Sequence, residues 1–75
     1  MVSEKIIDIL SNFLEEDSSA IDENTQLFLE YDLEDEDIEE IIELLNDEFD
    51  IEIDFDDFCE LGTIEEIAEY IESLL

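Results

Sequence analysis

Apolar residues recur at helical spacing through this 75-residue chain, and most positions between them are acidic. Ile38, Ile41, Ile42, Leu45 and Phe49 fall three or four residues apart. That period gathers them on one face of a helix, with Leu44 adjoining it. The other face holds Glu36, Asp37, Glu39, Glu40, Glu43 and Asp47. An acidic chain without such a period stays disordered, because it lacks the apolar surface to offset chain entropy. Regular stripes of this kind reject disorder and predict helices that bury their apolar faces against one another.

The same pattern appears twice more. Ile6, Ile9, Leu10, Phe13 and Leu14, with Ile7 beside them, predict a first helix with Ser3 as its N-cap. It fades at Glu16-Asp17-Ser18-Ser19, which reads as a turn. Thr63-x-x-Glu66 is a capping box for a last helix that turns Ile64, Ile67, Ala68 and Ile71 inward, with Leu74 or Leu75 at its fraying end. The helix carrying Ile38 is predicted from about Asp35 to Phe49. Asp35 or its neighbours cap it, and acids in its first turn suit the helix dipole.

Between these stretches lie less regular segments. Ala20 to about Glu34 reads as a long loop pinned by Ile21, Leu27, Phe28 and Leu33. Phe49 to Asp54 alternates apolar and acidic residues, but no other strand-like run exists for it to pair with, so it is expected to be an extended linker. A short helix is predicted from about Asp56 to Glu60, anchored by Phe55, Phe58 and Leu61 and ended by Gly62. The expected fold is all-α: a single domain over residues 1–75, a four-helix bundle of three main helices plus one short helix, with a long first loop.

Charge limits the partners. Twenty-eight Asp and Glu face one Lys and no Arg or His, for a formal net charge of −27. Nucleic acid is not expected as a partner, because binding requires cations that displace phosphate counterions. Anionic membranes are disfavoured for the same reason. No apolar run of about 18 residues exists to span a bilayer. A basic protein surface is the expected partner, drawn in by electrostatic steering. Met1-Val2-Ser3-Glu4-Lys5 lacks the pattern of a secretory signal, and the lone Cys59 admits no internal disulfide. A cytoplasmic setting is expected.

From Ile21 to Ile71 the chain resembles the acyl and peptidyl carrier protein family without a gap. Ile21 to Leu27 fits the stretch before the carrier loop, and Ile38 to Phe49 fits the second helix. Glu48-Phe49-Asp50-Ile51-Glu52-Ile53 fits the family's Glu-Phe-x-x-x-Ile segment, and Thr63 to Ile71 fits the last helix. Asp54 stands where many members have proline. The resemblance implies the carrier-protein fold. The family's second helix begins with Gly-x-Asp-Ser-Leu, whose serine carries phosphopantetheine. Here Asp32, Glu34, Asp35 and Glu36 stand at the Gly, Asp, Ser and Leu positions. Aspartate caps a helix about as well as serine. It has no hydroxyl to attack the pyrophosphate of coenzyme A. The substitution keeps the fold and removes the chemistry, so no cofactor is expected.

The candidate site follows from that resemblance: Glu34, Asp35, Glu36, Glu39, Glu40, Glu43 and Asp47, a partner-binding set around the start and outer face of the second helix. In carrier proteins this face docks on basic patches of enzymes. The charge of Asp35 is expected to cap its helix, or to imitate the phosphodiester that such enzymes meet there. None of Ser3, Ser11, Ser18, Ser19 or Ser73 precedes the second helix, so none replaces the missing attachment point. Asp32, Glu34, Glu36, Ile38, Glu40 and Glu43 are spaced like a calcium loop, but Asp37 replaces its central glycine and Glu39 its apolar position. No specific metal is expected; diffuse divalent cations are. Cys59, read as half-buried, has no histidine in the chain to activate it. The chain is not expected to be an enzyme. It is read as a carrier-like interaction or regulatory module. The alternatives are an atypical working carrier in fatty acid, polyketide or nonribosomal peptide synthesis, and an inhibitor or nucleic-acid mimic acting through bulk negative charge.

Overall fold

A computed structural model describes residues 2–75. Five α-helices follow in order: α1 (Val2–Leu14), α2 (Leu27–Glu30), α3 (Asp35–Phe49), α4 (Phe55–Cys59) and α5 (Ile64–Leu74). A 3-10 turn, Ser18–Ala20, links α1 to the first loop. No strand occurs among the described residues, only an isolated bridge between Gln26 and Thr63. The all-α expectation holds. α1 lies against α5 and α3, and α4 lies against α3.

The predicted stripes form the core. Ile6, Leu10, Leu27, Ile41, Leu45, Phe58, Ile64, Ile67 and Ile71 are fully buried, with Ile21, Ile38, Ile42, Ile53 and Ala68 nearly so. Phe28 meets Phe58 edge-on, ring centroids 5.8 Å apart at 88°. This T-shaped contact ties the first loop to α4.

Several local expectations need correction. Ser3 does not precede α1. It lies within the first turn and is buried, because a small side chain is what fits there. The long loop is not bare: Leu27 is buried and nucleates α2 within it. The Glu30 carboxylate accepts the Gln26 N–H at 2.9 Å, completing that turn. Further along, the short helix spans Phe55–Cys59 rather than Asp56–Glu60. Asp54, at the position where many carrier proteins have proline, caps it by accepting the Asp56 N–H at 2.8 Å.

Gly62 does not end α4 by a left-handed turn, since no glycine has positive φ. It lies instead beside the Glu66 side chain. The Glu66 carboxylate accepts both the Gly62 and Thr63 N–H groups at 3.0 Å, and a Cβ on residue 62 would stand 2.7 Å from that oxygen. The other half of the predicted capping box is present too, with the Glu66 N–H donating to Thr63 Oγ1 at 3.2 Å. The left-handed positions are Glu15 and Asp50, at the C-terminal ends of α1 and α3.

Backbone bonds hold the loops in place. The Ile64 N–H donates to the Thr25 carbonyl at 3.1 Å and the Glu65 N–H to the Glu23 carbonyl at 3.0 Å, strapping the first loop to the start of α5. Asn46 fixes the linker after α3: its Oδ1 accepts the Ile53 N–H at 2.9 Å. Nothing in the spacing of apolar residues singles out Asn46. It sits among them as a polar residue, and its partner is seven positions away.

Candidate docking site

The site starts where the extended segment after α2 becomes α3. Glu34 is the N-cap and Asp35 the first helical residue. The Glu34 N–H donates to Asp37 Oδ2 at 3.1 Å, so Asp37 reaches back to satisfy a donor the helix leaves open. The cap is therefore shared by Glu34 and Asp37. Asp35 adds only its charge to the first turn, where the dipole favours it.

Each helical residue turns the chain by about 100°. On that wheel Glu36, Glu39, Glu40, Glu43 and Asp47 form one stripe opposite Ile38, Ile41, Ile42 and Leu45, and all five acids are exposed. Leu44, 41% exposed, flanks the stripe. The predicted outer face is thus brought together as one surface. Glu34 and Asp35 are also exposed but lie at its N-terminal end. Asp35 is turned about 100° from Glu36 and about 40° from Glu39, at the edge of the stripe from which its charge reaches Cys59 of α4.

Cys59 ends α4 and is exposed, not half-buried, because Phe58 takes the inward position beside it. Local burial first, then the charges of Asp35 and Asp56, push its thiol above the ordinary range. At neutral pH the group stays a thiol and is a poor nucleophile. Its alkylation by iodoacetamide is expected to be slower than that of an unstructured cysteine peptide, and Asp35→Asn should speed it. A rate that ignores Asp35→Asn at low salt would place the two groups out of electrostatic reach.

The other flank holds Tyr31, half-buried before the acidic run. Burial raises its phenol, and the nearby Glu16 carboxylate, 3.5 Å from the hydroxyl, adds to the shift.

The calcium-loop spacing does not make a loop. Glu36, Glu40 and Glu43 are on α3 while Asp32 and Glu34 precede it, so a rigid helix replaces the chain that would wrap an ion. No three metal-ligating side chains converge among the described residues. No described helix is long and apolar enough to cross a membrane.

The serines are scattered. Ser11 is buried and donates to the Asp8 carbonyl at 3.0 Å, Ser73 donates to the Tyr70 carbonyl near the C-terminus, and Ser18 and Ser19 sit in the exposed 3-10 turn. At the α3 start the group offered to solvent is a carboxylate. It can attract cations, accept hydrogen bonds and repel anions. It cannot form a stable phosphodiester, because a phosphoryl group on a carboxylate is a labile acyl phosphate.

A family model described as a phosphopantetheine attachment site matches residues 4–71. No curated protein matches the chain.

Proposed function

The chain belongs to the phosphopantetheine-attachment family of carrier domains, and we propose that Asp35 takes the serine position, so that the chain is a carrier-like docking module that is not phosphopantetheinylated. Domains of this family are not catalytic themselves. The observation that carries the reading is Asp35: an exposed carboxylate at the first position of α3 where the family's chemistry needs a hydroxyl. Residues 1–75 act as one unit in this reading, in a cytoplasmic setting with basic enzymes.

Its partner is an enzyme that recognises carrier proteins through a cationic surface. Glu36, Glu39, Glu40, Glu43 and Asp47 supply the complementary stripe, and Glu34 and Asp35 the end that a carrier would present with its arm. Individual exposed ion pairs contribute little. The stripe acts mainly on encounter rate and orientation. Bound this way, the domain occupies a carrier's place without delivering a substrate, and so regulates or recruits the enzyme.

Intact mass tests the first half. The protein isolated from its host, and the protein incubated with coenzyme A and a broad-specificity phosphopantetheinyl transferase, should both keep the bare-chain mass. The combined variant Asp32→Gly, Glu34→Asp, Asp35→Ser, Glu36→Leu should gain a phosphopantetheine increment. An increment on the unaltered chain would instead establish a working carrier. For the second half, excess protein should slow a carrier-dependent enzyme acting on its own carrier, and replacing the five stripe acids by Gln should abolish the effect. Inhibition unchanged by those replacements would point to bulk charge.

A further inference from the structure

Most of the surface is acidic, yet the most solvent-exposed position of α2 is a leucine. Leu29 is 81% exposed. The other exposed large apolar side chains among the described residues are Leu44, beside the α3 stripe, and Leu74 and Leu75 at the C-terminal end. The placement of Leu29 follows from the single turn of α2. Leu27 is fully buried and Phe28 meets Phe58. Leu29 comes about 200° after Leu27 around the helix, so it points away from the core. The turn is held firmly. The Leu29 N–H donates to the Gln26 carbonyl and the Tyr31 N–H to the Leu27 carbonyl, both at 3.1 Å, and the Glu30 carboxylate accepts the Gln26 N–H. A leucine so exposed adds little to the fold. It is nonetheless fixed in place before any partner arrives, which lowers the entropy cost of binding through it.

Charge decides what covers it. Glu30, Asp32 and Glu34 follow Leu29 on the exposed side of the segment leading into α3, while Tyr31 and Leu33 between them lean on the core. A second copy of the chain is disfavoured, because two molecules of net charge −27 repel each other. An anionic lipid surface is disfavoured for the same reason. The complementary surface is a protein whose apolar pocket is bordered by Lys or Arg. In that contact the leucine leaves water inside the pocket, and the flanking acids meet the cations at its rim.

We propose that Leu29 is an apolar anchor, entering a cation-bordered pocket on the enzyme that binds the α3 stripe. This rests on the docking reading and divides the work within it. The stripe steers and orients the encounter, and Leu29 slows dissociation once the complex has formed.

The probe is a broad-specificity phosphopantetheinyl transferase acting on coenzyme A and a serine-bearing carrier, with this protein as the inhibitor. Inhibition is measured at about 0.05 M and about 0.15 M salt, which changes the screening of exposed charges. Leu29→Ser should weaken inhibition about tenfold or more, the scale of burying one leucine side chain, and should keep the salt dependence of the parent. Leu29→Met, which preserves volume and apolar character, should stay within about threefold of the parent. Leu75→Ser removes an exposed leucine elsewhere and should inhibit like the parent. Replacing the five stripe acids by Gln should instead remove the salt dependence. Melting curves confirm that each variant is folded. Inhibition by Leu29→Ser as strong as the parent's overturns the anchor and leaves the docking reading standing, and so do equal losses from Leu29→Ser and Leu75→Ser. A parent chain that fails to inhibit at either salt concentration overturns the docking reading and the anchor with it.

Discussion

Phe58→Ala should come close to unfolding the protein at low salt. Phe58 is fully buried, the largest such side chain in the core, and lies edge-on to Phe28. Truncating a buried Phe costs about 3–5 kcal/mol through lost burial and the cavity left behind. A chain of this length has roughly 4–11 kcal/mol of stability in total, at 0.05–0.15 kcal/mol per residue. The acidic surface places this protein toward the lower end of that range. The melting temperature should fall by about 15 °C or more, given 4–8 °C per kcal/mol for a small domain. Leu29→Ser is the contrasting control. Leu29 is 81% exposed, and exposed positions usually stay within about 0.5 kcal/mol. Thermal denaturation followed by circular dichroism reads both. A Phe58→Ala melting point within a few degrees of the parent would mean that α4 contributes little to the fold.

Salt should act nearly as strongly in the opposite direction. Asp35–Glu39, Glu36–Glu40, Glu39–Glu43 and Glu43–Asp47 on α3, and Glu65–Glu69 on α5, are like charges one turn apart. Each such pair costs roughly 0.2–0.5 kcal/mol, so these alone cost about 1–2.5 kcal/mol. No described helix has a basic residue in its last turn, and α3 ends in Asp47, Glu48 and Phe49 against the negative pole of its dipole. Counterions screen both effects over a Debye length of about 10 Å at 0.1 M salt. Raising sodium chloride from about 10 mM to about 0.5 M should therefore raise the melting temperature by roughly 5–15 °C. Magnesium should reach the same gain at lower concentration, by diffuse association with a chain of net charge −27. A melting temperature flat across that range would mean that repulsion among these carboxylates does not limit stability.

The main helices were legible because their signals are local. The α3 bounds, Asp35 to Phe49, agree with the structure at both ends. The capping box at Thr63 and Glu66 formed as its spacing requires. The inward faces of α3 and α5 are buried as their period requires. The exposed acidic stripe of α3 was legible for the same reason, since a helix that buries one face must expose the opposite one.

The less legible features depend on distant partners. α2 exists because Leu27 finds the core and Phe28 finds Phe58, thirty residues away in sequence. Four residues alone are far below the length at which a helix holds itself. Gly62 is marked by a carboxylate that reaches its N–H from Glu66, not by its own backbone angle. Cys59 is exposed because Phe58 takes the inward position, which a short apolar run cannot specify without its packing partners.

The helices, the core faces, the charge and the carboxylate at residue 35 are all written in the linear chain, because periodicity and chemical identity belong to neighbouring residues. Folding in three dimensions was needed to bring the charge of Asp35 within reach of Cys59, to strap the first loop to α5, and to set Phe28 against Phe58 so that Leu29 faces outward. Those are distances between residues far apart in the chain, and they follow from how the buried faces pack, which no local pattern records.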